Sequence, residues 1–114
     1  MRHDTRTILK YRIQEGGETT LKGWFTKIMH VGEQDGQLTV WIENSLTRPD
    51  ISGKQVPRDE EEQIEITLWA IGTGWSYPAD AAGRHIGTVQ MNNGLVWHVF
   101  IKDAKWLSTY AEYV

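Results

Sequence analysis

The stretch FTKIMHVGEQDGQLTVWIE, residues 25–43, decides the fold. Two alternating runs flank Asp35-Gly36, a pair that favours a two-residue type I′ turn because both central residues need positive φ. Such a turn fixes the register of the strands it joins. Gln34 then stands opposite Gln37, Gly32 opposite Thr39, Val31 opposite Val40, His30 opposite Trp41 and Met29 opposite Ile42. One face carries Met29, Val31, Leu38, Val40 and Ile42 and is the expected core face. The other carries Ile28, His30, Thr39 and Trp41, half polar and half aromatic.

Outward from this hairpin the chain continues to read as strands. Thr7 to Gln14 alternates in part and is rich in branched residues, which predicts a first strand. Gly16-Gly17 ends it, Thr19 to Leu21 is a short extended piece, and Gly23 breaks the chain again. Residues 44–60 contain Pro49, Gly53 and Pro57 and show no periodicity. They predict a long polar loop, either mobile or used to bind something. In Gln63 to Ile71, Ile64, Ile66 and Leu68 take one face, and Glu65, Thr67 and Trp69 the other. The run 68–71 is apolar on both faces, so that strand end is expected to be covered on both sides. After a loop at 72–78 and a short turn near Ala79 to Gly83, Arg84 to Met91 and Leu95 to Lys102 read as a second hairpin around Asn92-Asn93-Gly94. A two-residue turn there puts Trp97 opposite Gln90; a three-residue loop with Gly94 left-handed puts it opposite Val89. Residues 103–114 place Leu107, Tyr110, Ala111 and Val114 on one helical stripe behind a capping Asp103. The expectation is a mainly β protein, a single domain over 1–114. Its antiparallel sheet has five to six strands with two hairpins, as a half-barrel or two-layer sandwich, and the tail at 103–114 forms a short C-terminal helix.

Composition excludes several classes of function. The 114 residues hold no cysteine, so there is no disulfide framework, thiolate metal site or cysteine nucleophile. Twelve basic residues stand against fifteen acidic ones, net −3. That balance lacks a general nucleic-acid footprint and argues against DNA as a partner. The charges are segregated. Arg2, Arg6, Lys10 and Arg12 sit near the start, while Glu43, Asp50, Asp59, Glu60, Glu61, Glu62 and Glu65 crowd residues 43–65, and the two segments can attract each other. Residues 1–14 lack the apolar stretch of a signal peptide, and no run approaches the roughly 20 apolar residues of a membrane helix. No membrane is expected as a partner.

Catalytic chemistry finds little support. His3, His30, His85 and His98 show no metal-ligand spacing along one strand, although His85 and His98 can meet across the second hairpin. No serine lies in a nucleophile-elbow context, and the consecutive acids 59–62 point to alternate sides of an extended chain. Neither an enzyme, a metal nor a cofactor is expected. Gly72-Thr73-Gly74 follows a strand, yet Tyr77 stands where a dinucleotide fingerprint needs its third glycine. Trp75 and Tyr77 beside it can stack a ring, or fold back on the core over a tight turn.

The sharper clue is the six tryptophans, Trp24, Trp41, Trp69, Trp75, Trp97 and Trp106. By the registers above, His30 and Trp41 share the non-core side of the sheet, and Trp69 is expected to join them. An apolar patch of that size needs a cover: another subunit, the C-terminal helix or a ligand. The candidate ligand- or partner-binding residues are His30, Trp41, Trp69, Gly72, Gly74, Trp75, Tyr77, Arg84 and His98.

Several blocks resemble a family of small, uncharacterised bacteriophage proteins, a domain of unknown function. They are Thr7-Ile8-Leu9-Lys10-Tyr11, Gly32-Glu33-Gln34 leading to Leu38-Thr39-Val40-Trp41, and Ile71-Gly72-Thr73-Gly74. His85-Ile86-Gly87-Thr88-Val89-Gln90 and Val96-Trp97-His98-Val99-Phe100 complete the set. Family members often have histidine where Trp75 stands and usually lack the 44–60 loop and the tail beyond Lys102. The resemblance implies a phage accessory product working in the host cytoplasm and assigns no reaction. The reading that follows is a non-enzymatic, homo-oligomeric protein that binds a host component, in counter-defence or host modulation. Two alternatives stand beside it. One is sequestration of a nucleotide or cyclic nucleotide by Gly72, Gly74, Trp75, Tyr77 and Arg84; the other is a minor virion or assembly component.

Overall fold

The computed structural model describes residues 4–80 and 83–102. Nine strands lie within them: β1 Arg6–Arg12, β2 Glu18–Gly23, β3 Phe25–Gln34, β4 Gln37–Ser45, β5 Thr47–Pro49, β6 Gln55–Pro57, β7 Ile64–Gly72, β8 Arg84–Gln90 and β9 Val96–Ile101. All pairings are antiparallel. Among the described residues there is no α-helix, only a 3-10 turn at Glu60–Glu62. The protein is mainly β, with more strands than the expected five to six. The C-terminal helix expected at 103–114, Trp106 included, lies outside the described residues.

The strands form a three-stranded sheet in the order β1-β4-β3, a four-stranded sheet in the order β2-β7-β9-β8, and the small ribbon β5-β6. The two larger sheets share one core, in which Val31, Leu38, Val40 and Ile42 meet Ile66, Leu68, Val89, Val99 and Ile101. The sheets approach closely where β8 passes β3. A Cβ on Gly87 would stand 3.1 Å from Val31, so the glycine allows the contact.

The β3–β4 hairpin turns at Asp35 (φ 52) and Gly36 (φ 76), the positive angles a type I′ turn needs. The register runs as expected from Gln34↔Gln37 to His30↔Trp41. It then slips by one: Ile28, not Met29, stands opposite Ile42. Met29 is the extra residue of a β-bulge and is 42% exposed, whereas Ile28 packs against the core. The expected core face is thus corrected at Met29, and Ile28 leaves the His30 side. The bulge gives the inward position to the branched aliphatic chain and lets the thioether face water.

Asn44, 1% exposed, anchors the passage between sheets. Its Oδ1 accepts from the Trp24 backbone N–H at 2.9 Å, and its Nδ2 donates to the Tyr11 hydroxyl and the Ile42 carbonyl, both at 3.2 Å. This buried amide is satisfied as burial requires. It holds the chain where β2 of one sheet runs into β3 of the other.

The expectation of a structureless loop at 44–60 is overturned. Residues 47–57 form the β5–β6 ribbon, closed by Asp50, whose carboxylate accepts from Ser52 N–H (2.9 Å), Ser52 O–H (2.6 Å) and Lys54 N–H (2.9 Å). Those bonds hold the Asp50 carboxyl below its ordinary range, the Ser52 hydroxyl foremost. The strands are three residues each, too short for periodicity to reveal. The segment is pinned from both ends. Arg48 and Arg58 clasp Glu62 at 2.8 and 3.1 Å, and the Trp24 indole N–H donates to the Asp59 carbonyl at 2.8 Å. The basic start meets this region at its edge, where Arg6 reaches Glu43 at 3.0 Å.

Candidate functional site

The four-stranded sheet turns Ile66, Leu68, Ala70, Val99 and Ile101 inward, so alternation sends Trp69, Ile71, His98 and Phe100 outward. Trp69 pairs Phe100 and Ile71 pairs His98 between β7 and β9, while His85 pairs Phe100 and Thr88 pairs His98 between β8 and β9. Three strands therefore place two histidines, two aromatics and a threonine on one surface.

Residues 72–78 fold back over that surface. Gly74 takes φ 88, open to glycine, and the Trp75 N–H donates to the Gly72 carbonyl at 3.1 Å. A Cβ on Gly72 would stand 2.8 Å from the Trp75 indole, and one on Gly16 2.7 Å from its far edge. Both glycines make room for the indole. Trp75 stands edge-on to Trp97 with centroids 5.3 Å apart. Trp97 is buried and donates its indole N–H to Glu15 at 2.8 Å. Tyr77 bridges Trp69 (6.3 Å) and Phe100 (5.9 Å), and Phe100 meets His85 at 5.3 Å. Ile71, at 2% exposed, is covered on this outer side, as the apolar run 68–71 predicts.

A cleft of about 250 Å³ opens between loop and sheet, lined by Ile71, Gly72, Thr73, Gly74, Trp75, Tyr77, His98 and Phe100. Its polar floor is a chain of hydrogen bonds. The Thr73 hydroxyl meets His98 Nε2 at 2.7 Å, the Thr88 hydroxyl meets His98 Nδ1 at 3.0 Å, and Thr88 also meets His85 Nε2 at 2.9 Å. A hydroxyl can donate or accept, so the ring of His98 is held in plane in either tautomer. Among the described residues both ring nitrogens of His98 are bonded by threonine hydroxyls. At the sheet's end Lys102 lies over the Trp69 ring at 5.1 Å and pairs with Glu18 at 2.8 Å. Among the described residues no three His, Asp or Glu side chains converge on a metal position.

Of the residues singled out from the sequence, Gly72, Gly74, Trp75, Tyr77 and His98 line this cleft, and Trp69 reaches it through Tyr77. His30 and Trp41 do not. They pack together at 5.4 Å on the three-stranded sheet. The expectation that Trp69 shares a face with them is corrected, because β7 belongs to the other sheet. Arg84 begins β8 opposite Ile101 and does not line the cleft. Sequence reasoning missed Phe100, Thr73 and Thr88, and it left the meeting of His85 with His98 open; their rings lie 6.4 Å apart. The signal was the alternation of Phe100 and His98 opposite Trp69 and Ile71, visible only once β7 is paired with β9. The hairpin loop takes the second of its two registers: Gly94 has φ 90 and Trp97 stands opposite Val89.

Fold and face define a small antiparallel β protein whose aromatic surface lies outside its core. The chain belongs to the family DUF7352, a domain of unknown function, whose model matches residues 4–107. The match runs through 44–60 and past Lys102, segments the resemblance had set apart. No curated protein and no solved structure matches the chain.

Proposed function

We propose that this is a non-enzymatic phage accessory protein, acting in the host cytoplasm, that binds a host component and assembles as a homo-oligomer through the outer face of its four-stranded sheet. The observation that carries the reading is the strip Trp75–Tyr77–Phe100–Trp69 beside an open cleft. Trp75 is 50% exposed and Tyr77 43%, although each ring already has an aromatic neighbour. Large rings held rigid yet half in water are the usual anchors of protein interfaces. The phage assignment is supported by the resemblance alone. Its most specific blocks, at 71–74, 85–90 and 96–100, are the ones that build this cleft and the strands beneath it.

A second reading, a ligand held in the cleft, is favoured by its size and its aromatic walls. The same lining argues against a phosphate. It contains no Arg or Lys, and Lys102 is engaged by Glu18. A planar, uncharged ring fits better than a whole nucleotide. Thermal-shift measurements with nucleosides, nucleotides and cyclic dinucleotides test this, and stabilisation by the charged members alone contradicts it. Light scattering coupled to size exclusion tests the leading reading. A mass that is a multiple of 13.1 kDa is expected, and a strict monomer removes the oligomer from the account.

A further inference from the structure

The outer face of the three-stranded sheet carries the opposite sign of charge to the whole chain. Val40 and Ile42 point inward and are fully buried, so their neighbours Trp41 and Glu43 face out. The registers then set Lys10, Trp41 and His30 in one row across β1, β4 and β3. Arg12, Thr39 and Gly32 form the next row; Ile8, Glu43 and Lys27 form the row on the other side. Asp4 pairs with Arg6 at 2.8 Å, and with Arg6 at the end of β1 four cationic side chains share this face with one carboxylate from the strands. That carboxylate, Glu43, is already engaged by the Thr26 hydroxyl at 2.7 Å and by Arg6 at 3.0 Å. Lys10 and Arg12 are exposed and take part in no ion pair among the described residues.

Beside Trp41 a groove of about 360 Å³ is lined by Lys10, Arg12, Gln34, Asp35, Gln37 and Thr39. Its one carboxylate, Asp35, belongs to the hairpin turn. The rings of His30 and Trp41 lie 5.4 Å apart, tilted by 39°. Gly32 keeps the sheet clear beside them, since a Cβ there would come within 2.7 Å of His30 and 3.6 Å of Trp41.

We infer that this face binds single-stranded nucleic acid, with a base stacked on Trp41 beside His30 and backbone phosphates on Lys10 and Arg12. Charge complementarity selects a polyanion. The aromatic pair selects one whose flat bases are free to stack, which a duplex does not offer. The half-buried Gln34 and Gln37 add amide donors and acceptors at the groove's end. The whole-chain charge of −3 hides this face, because seven of the fifteen acidic residues lie in 43–65. The site lies on the other sheet from the cleft, so the two proposals stand or fall separately.

The test is fluorescence anisotropy with labelled oligothymidylate and oligouridylate of about 10 nucleotides. Binding is expected near 50 mM salt, weakening toward 200 mM with a log–log slope of about −1.4, for two phosphate contacts at about −0.7 each. Trp41→Ala should weaken it about tenfold. Trp41→Phe, which keeps a ring and protects the fold, should weaken it less. Lys10→Gln with Arg12→Gln should flatten the salt slope, and Ile51→Ala, on the exposed ribbon turn, should change nothing. Equal affinity for the two oligomers places recognition in stacking and phosphate; tighter RNA binding adds the 2′-hydroxyl, and both support the inference. It is overturned if no anisotropy change occurs at the lower salt. It is equally overturned if duplex DNA or polyglutamate binds as tightly and the Trp41 variants bind like the parent.

Discussion

Trp75 stands edge-on to Trp97, ring centroids 5.3 Å apart, and the two indoles divide structure from surface between them. Trp97 is 6% exposed and hydrogen-bonded to Glu15; Trp75 is half in solvent. Trp97→Phe should therefore destabilise the fold by about 2 kcal/mol, because the Glu15 carboxylate loses its donor and the core loses volume. Trp75→Ser should cost less in stability and more in association. Urea unfolding of both variants, read beside their solution masses, checks the division.

Gly72→Ala should disturb the surface without unfolding the sheet. The added Cβ would come 2.8 Å from the Trp75 indole, which is free to swing outward because half of it already faces water. A red-shifted tryptophan emission and weaker self-association are expected, with the far-ultraviolet circular dichroism unchanged.

The bulge at Met29 predicts an inverted pattern of mutational cost. Ile42→Ala empties a fully buried position and should cost about 2–5 kcal/mol. Ile28→Ala should cost part of that, while Met29→Ala should stay within about 0.5 kcal/mol. An uninterrupted register would make Met29 the costly residue and Ile28 the silent one. Chemical denaturation of the three variants decides between them.

Acid should loosen the joint between the first strand and β4. The Thr26 hydroxyl, then the Arg6 guanidinium, hold the Glu43 carboxyl below its ordinary value of 4.5. A carboxylate with a depressed folded-state pKa contributes stability above the unfolded value, and that contribution is lost as the pH falls through the folded one. The melting temperature should fall as the pH drops below 4.5, and Glu43→Gln should reduce that dependence. A parallel fall in the variant and the parent would assign the acid sensitivity to other carboxylates, such as Glu62 or Asp50.

How far the sequence could be read follows from which signals are local. The Asp35-Gly36 turn announces itself in two residues, so the hairpin register was legible down to His30 and Trp41. The slip at Met29 was not, because a bulge is chosen by the packing of Ile28 against the second sheet. The alternation of Ile64, Ile66 and Leu68 revealed β7 but not its neighbours. The pairing of Trp69 with Phe100 joins residues far apart in the chain, and without it Trp69 was set on the wrong sheet. The cleft was half legible for the same reason. Gly72, Gly74, Trp75 and Tyr77 come from one loop, whereas Thr73, Thr88, His85 and His98 converge only through the β7–β9–β8 pairing. The ribbon at 47–57 was missed because its order comes from the Asp50 turn and the clasp of Glu62, not from an apolar pattern.

If the strip around Tyr77 joins copies of the chain, breaking it must release them. Size exclusion with light scattering on the parent and on Tyr77→Ser tests it most directly, with thermal melting to confirm that the variant is folded. A parent mass at a multiple of 13.1 kDa and a folded variant that falls to 13.1 kDa are expected. A parent that runs as a 13.1 kDa monomer, or a folded variant that keeps the parent's mass, contradicts it.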